Sequence, residues 1–136
     1  KSILNLLEDI MGNRAVIHFQ GSNVGMYVHW NGGRDTIEPM LEVAKEYELR
    51  GGDYGLARLA QMFGNFMGGT LSMGIDELER LDCDNNNNGV YVIDSNFNIV
   101  DRQYMLGVEQ SDYDSEDMKQ AFRDANDSYF KAKAAR

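Results

Sequence analysis

The chain has 136 residues, 43% of them hydrophobic and 26% charged, which fits one ordinary globular domain with its own core. Its 13 basic and 22 acidic residues leave a net charge of −9, which disfavours direct binding of nucleic acid, where cations must displace counterions from phosphate. A single cysteine, Cys83, excludes an intramolecular disulfide, and no apolar run approaches the roughly 20 residues of a membrane span. Residues 1–11 contain Glu8 and Asp9 and do not read as a signal peptide, so the cytoplasm is the expected compartment.

In chain order, Ile3, Leu6, Leu7 and Ile10 stand at helical spacing, and Gly12-Asn13 reads as the stop. Residues 15–20 and 24–30 alternate around Gly21-Ser22-Asn23, a hairpin signal. Pairing Ile17 with Val28 would set Phe19 against Met26 and Ala15 against Trp30 on one apolar face. Thr36 is a suitable helix cap that leaves Pro39 in the first turn, ahead of the stripe Ile37, Met40, Leu41, Ala44 and Tyr47. After Gly51-Gly52 a second helix carries Leu56, Leu59, Ala60, Phe63, Phe66 and Met67 on one face and ends at Gly68-Gly69. Residues 70–73 suggest a short strand and 76–81 one or two helical turns. Residues 90–94 and 98–104 suggest a second hairpin turning at Ser95-Asn96. Asp112 and Asp114, within residues 112–115, make an acidic start that leads into a last helix with Met118, Phe122, Ala125 and Tyr129 on one face. The expected architecture is one α+β domain over residues 1–136, in which two antiparallel β-hairpins form one small sheet with helices on one face.

Four features carry chemistry. The register above sets His18 opposite Tyr27 with His29 as diagonal neighbour, so two imidazoles would share a metal or phosphate; the plain alternative is two histidines on a solvent face. The turn Trp30-Asn31-Gly32-Gly33 allows close backbone approach to a ligand ahead of a helix N-terminus, and with His18 and His29 it forms a candidate ligand site or small active centre. Its plain alternative is a tight turn over a packed Trp30. Asp84, Asn86 and Asn88, followed by Gly89, match the front half of a calcium loop, whereas Ser95 stands where such a loop needs a bidentate glutamate; an asparagine-rich turn is the alternative. Cys83 has acidic neighbours that disfavour its thiolate, and no nucleophile elbow is present, so no catalytic residue is assigned.

The fourth feature is acidic surface. Glu38, Glu42 and Glu46 share one helix, and Asp112, Asp114 and Asp117 cluster at the start of another. The expected partner is a basic host protein, with Trp30 or Tyr113 as an aromatic anchor. The alternative is a solvated face balanced by Lys45, Arg50, Arg80 and Lys119.

The segments Val28-His29-Trp30-Asn31-Gly32-Gly33, Gly55-Leu56-Ala57-Arg58 and Asn88-Gly89-Val90-Tyr91-Val92 together resemble small acidic proteins of unknown function encoded by phages and mobile elements, over residues 13–105. The resemblance brings no activity and no site residues. It implies a protein made by a mobile element that acts on a host protein, for instance as an inhibitor of a defence system.

Overall fold

The computed structural model describes residues 12–134, so the expected helix over residues 2–10 lies outside the described residues. The first hairpin is formed by β1 (Ala15–Phe19) and β2 (Val24–Val28). Helices α1 (Arg34–Glu46) and α2 (Gly52–Met67) follow, then β3 (Met73–Glu77) and a 3-10 turn at Leu78–Arg80. The second hairpin, β4 (Val90–Ile93) and β5 (Ile99–Gln103), precedes α3 (Ser115–Ala134).

The fold is α+β, but its sheet is larger than two hairpins predict. Five strands lie in the order β3-β2-β1-β4-β5. The hairpins meet through a parallel β1–β4 pairing, from Val16 against Val90 to Phe19 against Ile93, and β3 adds antiparallel to β2. The sheet is therefore mixed. All five residues of β1, its central strand, are buried, as contact on both faces and both edges requires.

The first hairpin sits two residues from the expected register. Ala15 pairs with Val28 and Ile17 with Met26. The turn begins early: Ser22 N–H bonds Phe19 C=O at 3.0 Å, with Gly21 at φ +83°, so the chain reverses sooner and β2 pairs two residues out of the expected register. A slip of two keeps every side chain on its face, so the core membership survives except for Trp30, which leaves the strand and meets the His29 ring edge-on at 4.9 Å.

One face of the sheet carries the helices. Ala15, Ile17, Phe19, Met26, Val28, Tyr91 and Ile93 pack against Ile37, Met40, Leu41, Leu59, Phe63 and Phe122. α1 begins earlier than Thr36 predicts: Gly33 is its cap, its C=O accepting from Thr36 and Ile37 N–H, and Pro39 lies inside the helix. In α3 the buried line is Phe122, Asn126 and Phe130, with Met118 partly buried ahead of them, one residue away from the expected Ala125 and Tyr129; Tyr129 is 58% exposed. Asn126 fits an apolar stripe because its amide is satisfied. It donates to Met62 C=O (3.1 Å) and Phe122 C=O (2.9 Å) and accepts from Asn65 (2.9 Å). On the other face, Val16, Val90 and Val92 pack under Tyr27, Leu78, Leu81 and Cys83, so the 78–83 segment covers part of the sheet that no helix reaches.

Candidate functional site

The register separates the two histidines. Continuing it places Gly25 opposite His18, and His29 lies four residues further along β2, about 13 Å away at the usual strand rise. His18 is buried beside the 78–84 segment, with Nδ1 3.0 Å from Phe19 C=O. His29 Nδ1 pairs with Tyr27 Oη at 2.8 Å. Burial, and then the charge of Asp82, raise the Tyr27 pKa against the pull of Arg14, so the phenol keeps its proton. Among the described residues no group of three or more His, Cys, Asp or Glu is placed to hold a metal ion.

A cavity of about 510 Å³ opens at the end of the first hairpin, between Tyr27, His29, Leu71 and Leu81. Of the expected ligand constellation only His29 lines it. Asn31 turns away to Met67, its amide 3.1 Å from the sulfur. Gly32 is a packing glycine: a Cβ there would stand 2.6 Å from Asn13 C=O, and its own C=O accepts from the buried Tyr91 hydroxyl at 2.8 Å. Gly33 is the helix cap, and Trp30 is half-buried against His29. Gly32 and Gly33 thus have packing and capping roles in the turn, and the open cavity lies on the other face of the sheet.

The asparagine-rich loop is organised by Asn85, between the residues read as calcium ligands. Asn85 is 1% exposed. Its Oδ1 accepts from Asn87 N–H (3.1 Å) and Gly89 N–H (2.9 Å), and its Nδ2 donates to Asp82 C=O (2.9 Å) and Gly89 C=O (3.2 Å). Asn88 donates to Asn13 Oδ1 (2.6 Å) and Arg14 C=O (3.1 Å), tying the loop to the start of β1, while Asp84 and Asn86 are exposed. Asn85→Ala strands a buried N–H of Gly89, so it is expected to cost about 2–3 kcal/mol and lower the melting temperature by roughly 8–10 °C, read by circular dichroism. Cys83, beside this loop, has its thiol pushed up by burial and then by Asp82.

The six acidic residues divide into two groups. Those of α1 have partners inside the chain. Glu38 bonds Arg34 at 2.7 Å and accepts from the Tyr113 hydroxyl. Burial opposes ionisation of Glu38, but the bonds from Tyr113 and Arg34 outweigh it and hold the carboxyl below its usual range. Tyr113 in turn is pushed up to about 12 by burial and by Glu38; half-buried, with its hydroxyl bonded to Glu38, it braces the loop against α1. Glu42 pairs with Lys45 at 2.9 Å, and Glu46 with Arg123 of α3 through two bonds of 2.8 and 2.7 Å. Asp112, Asp114 and Asp117 are exposed at the start of α3, where Asp114 also accepts from Glu116 N–H at 3.0 Å.

Beside that second group lies a feature that sequence patterns do not reveal. Residues 104–114 contain no regular structure, yet they are pinned at four points. Leu106 N–H bonds Asn87 C=O at 3.0 Å. Glu109 pairs with Arg34 at 3.1 Å and also with Arg102. Gln110 Oε1 accepts from Asp35 N–H at 3.2 Å, and Tyr113 reaches Glu38. From this anchored loop Leu106 and Val108 project at 69% and 95% exposure. Two aliphatic side chains held outward, followed along the chain by three exposed carboxylates, give this segment apolar and electrostatic content together. The signal available in the sequence was Leu106 and Val108 within an otherwise polar, helix-free stretch.

Among the described residues no helix is long and apolar enough to cross a membrane. No family model, curated protein or solved structure matches the chain.

Proposed function

We propose that the chain is a non-catalytic protein-binding domain of the phage or mobile-element type, which docks on a basic host protein and occludes it. The docking surface is the pinned loop 104–114 with the start of α3. The observation that supports this reading is the combination of firm anchoring with outward Leu106 and Val108. A loop already ordered loses little entropy on binding, and each buried aliphatic contributes about 1.5–3 kcal/mol. Asp112, Asp114 and Asp117 supply the charge that steers a basic partner, whereas Glu38, Glu42 and Glu46 are spent on internal pairs.

The test is affinity capture from a bacterial lysate at low and moderate salt, followed by kinetics on the captured partner. Asp112→Asn/Asp117→Asn spares the helix-capping Asp114 and should slow association about tenfold and flatten its salt dependence. Leu106→Ser/Val108→Ser should instead speed dissociation by at least about tenfold. A partner held equally well by both variants would place its docking elsewhere and end this reading.

A further inference from the structure

The two edges of the sheet are built differently. β5 carries Asp101 and Arg102, and its ladder with β4 is broken by a shift at Val92/Ile93, features that discourage further pairing. β3 has five consecutive pairs with β2 and no irregularity. Two bonds fix which of its backbone groups face inward: His29 N–H to Ser72 C=O at 3.0 Å, and Leu78 N–H to Asn23 C=O at 2.7 Å. Because bonded pairs alternate along an antiparallel ladder, Gly74 and Asp76 face β2. The N–H and C=O of Ile75 therefore point outward, with the C=O groups of Met73 and Glu77. Met73 N–H folds back to Thr70 C=O at 3.1 Å, and Glu77 N–H bonds the Asp76 carboxylate at 2.8 Å. Among the described residues no strand lies beyond β3, where Ile75 is 54% exposed and Leu71 fully exposed.

The cavity of about 510 Å³ adjoins this edge. Gly74 pairs with Tyr27, and no atom lies within 4 Å of where a Gly74 Cβ would stand. A gap thus runs from the free edge, over Gly74, to the Tyr27 ring. A strand laid on β3 would sit two strand spacings, roughly 10 Å, from β2, so only a long side chain crosses the gap. Asp82 and Arg80 both line it, and Asp76 and Glu77 flank the edge. Arg80 offsets these acids in part, at 3.9 Å from Asp76 and 3.6 Å from Glu77, and Arg14 lies 4.0 Å from Asp82. Asp76, Glu77 and Asp82 outnumber Arg80 and Arg14 here, so the surroundings of Tyr27 favour a cation on a flexible stem.

We infer that β3 is a strand-addition site for an extended segment of another protein, whose backbone pairs with Ile75 and whose arginine or lysine side chain crosses Gly74 toward Tyr27 and Asp82. Main-chain bonds give such a complex its affinity and the cavity gives its selectivity. This site is separate from the loop 104–114 and does not depend on it.

The test uses the full chain to select from a displayed library of random dodecapeptides, and then titrates the selected peptide by fluorescence anisotropy. Selected peptides should carry arginine or lysine between alternating apolar residues and should slow exchange of the Ile75 amide at least about tenfold on binding. Ile75→Pro removes an outward N–H at an edge position that tolerates proline, and Gly74→Leu fills the gap without touching the ladder. Each should weaken binding at least about tenfold, while Leu106→Ser/Val108→Ser should leave it unchanged. Four results would overturn the inference: no peptide selected, selected peptides without a cation, equal binding by both β3 variants, or an Ile75 amide already protected in the free protein. A concentration-dependent dimer abolished by Ile75→Pro would assign the edge to a second copy of the chain instead.

Discussion

Gly89→Ala is expected to cost at least about 4 kcal/mol and to lower the melting temperature by about 12 °C or more, a large share of the 5–15 kcal/mol that holds a domain together. Gly89 stands where three strands meet. Its C=O accepts from Val16 N–H at 2.9 Å, at the start of the parallel β1–β4 pairing, and its N–H is held by Asn85. Its φ is +64°, which costs an L-residue roughly 1 kcal/mol by itself. Most of the destabilisation is steric. An alanine Cβ would lie 2.1 Å from Gln103 C=O, 2.5 Å from the Tyr104 carbonyl carbon and 2.6 Å from Met105 N. All three are backbone atoms at the end of β5, so no rotamer change relieves the contact, and the second hairpin must shift. Gly21→Ala separates the two causes: its φ is +83° but nothing lies within 4 Å, so it should cost only about 1 kcal/mol. Equal losses in the two variants would show that φ, and not the approach of β5, requires glycine at position 89.

The same junction explains how far the sequence could be read. Local patterns located both hairpins to within two residues, because alternation and the turn residues Gly21-Ser22-Asn23 and Ser95-Asn96 are signals carried by neighbours in the chain. They also located the α1 and α2 stripes, whose apolar residues recur at helical spacing. What joins these pieces is non-local. The β1–β4 pairing connects residues more than 70 positions apart and leaves no periodic trace. β3 was missed as a full strand because only Met73 and Ile75 carry its alternation, too short a run to stand out before the acidic Asp76-Glu77, and its partner β2 lies two helices earlier. In the asparagine-rich loop, calcium-loop spacing drew attention to Asp84, Asn86 and Asn88, while the buried hub is Asn85; four similar side chains in a row give no local clue to which one turns inward. The acids of α1 show the same limit. Spacing places Glu38, Glu42 and Glu46 on one helix, but only packing against α3 and the loop 104–114 brings Arg123 and Tyr113 to them. Asn126 is the converse case: a polar residue at a core position is invisible to apolar periodicity, although its partners make burial favourable.

Arg102→Met is expected to cost about 3 kcal/mol and to release the loop 104–114 while the rest of the domain stays folded. Arg102 lies on the edge strand, yet its side chain is only 12% exposed. Its guanidinium lies 3.6 Å above the Tyr91 ring, donates to Asn88 C=O at 2.6 Å and Val90 C=O at 3.3 Å, and pairs with Glu109. It thus links the central strands to one of the anchors of the loop. Methionine keeps much of the apolar stem over Tyr91 but removes every one of those donors, and leaves Glu109 to Arg34 alone. Arg102→Lys should recover little, about 1 kcal/mol, because one ammonium cannot reproduce a planar fork that reaches three acceptors at once. Two measurements separate global from local effects. Thermal melting reads the total loss, and limited chymotrypsin digestion reads the loop, through cleavage at Tyr104 and Leu106 at a temperature where the parent chain resists. If the proposed docking surface depends on pre-ordering, the loosened loop should also bind its partner at least about tenfold more weakly than the parent, with Leu106 and Val108 still in place. A loop that stays resistant in Arg102→Met, or unchanged affinity despite a cleavable loop, would mean that the exposed aliphatics act without the rigid frame beneath them.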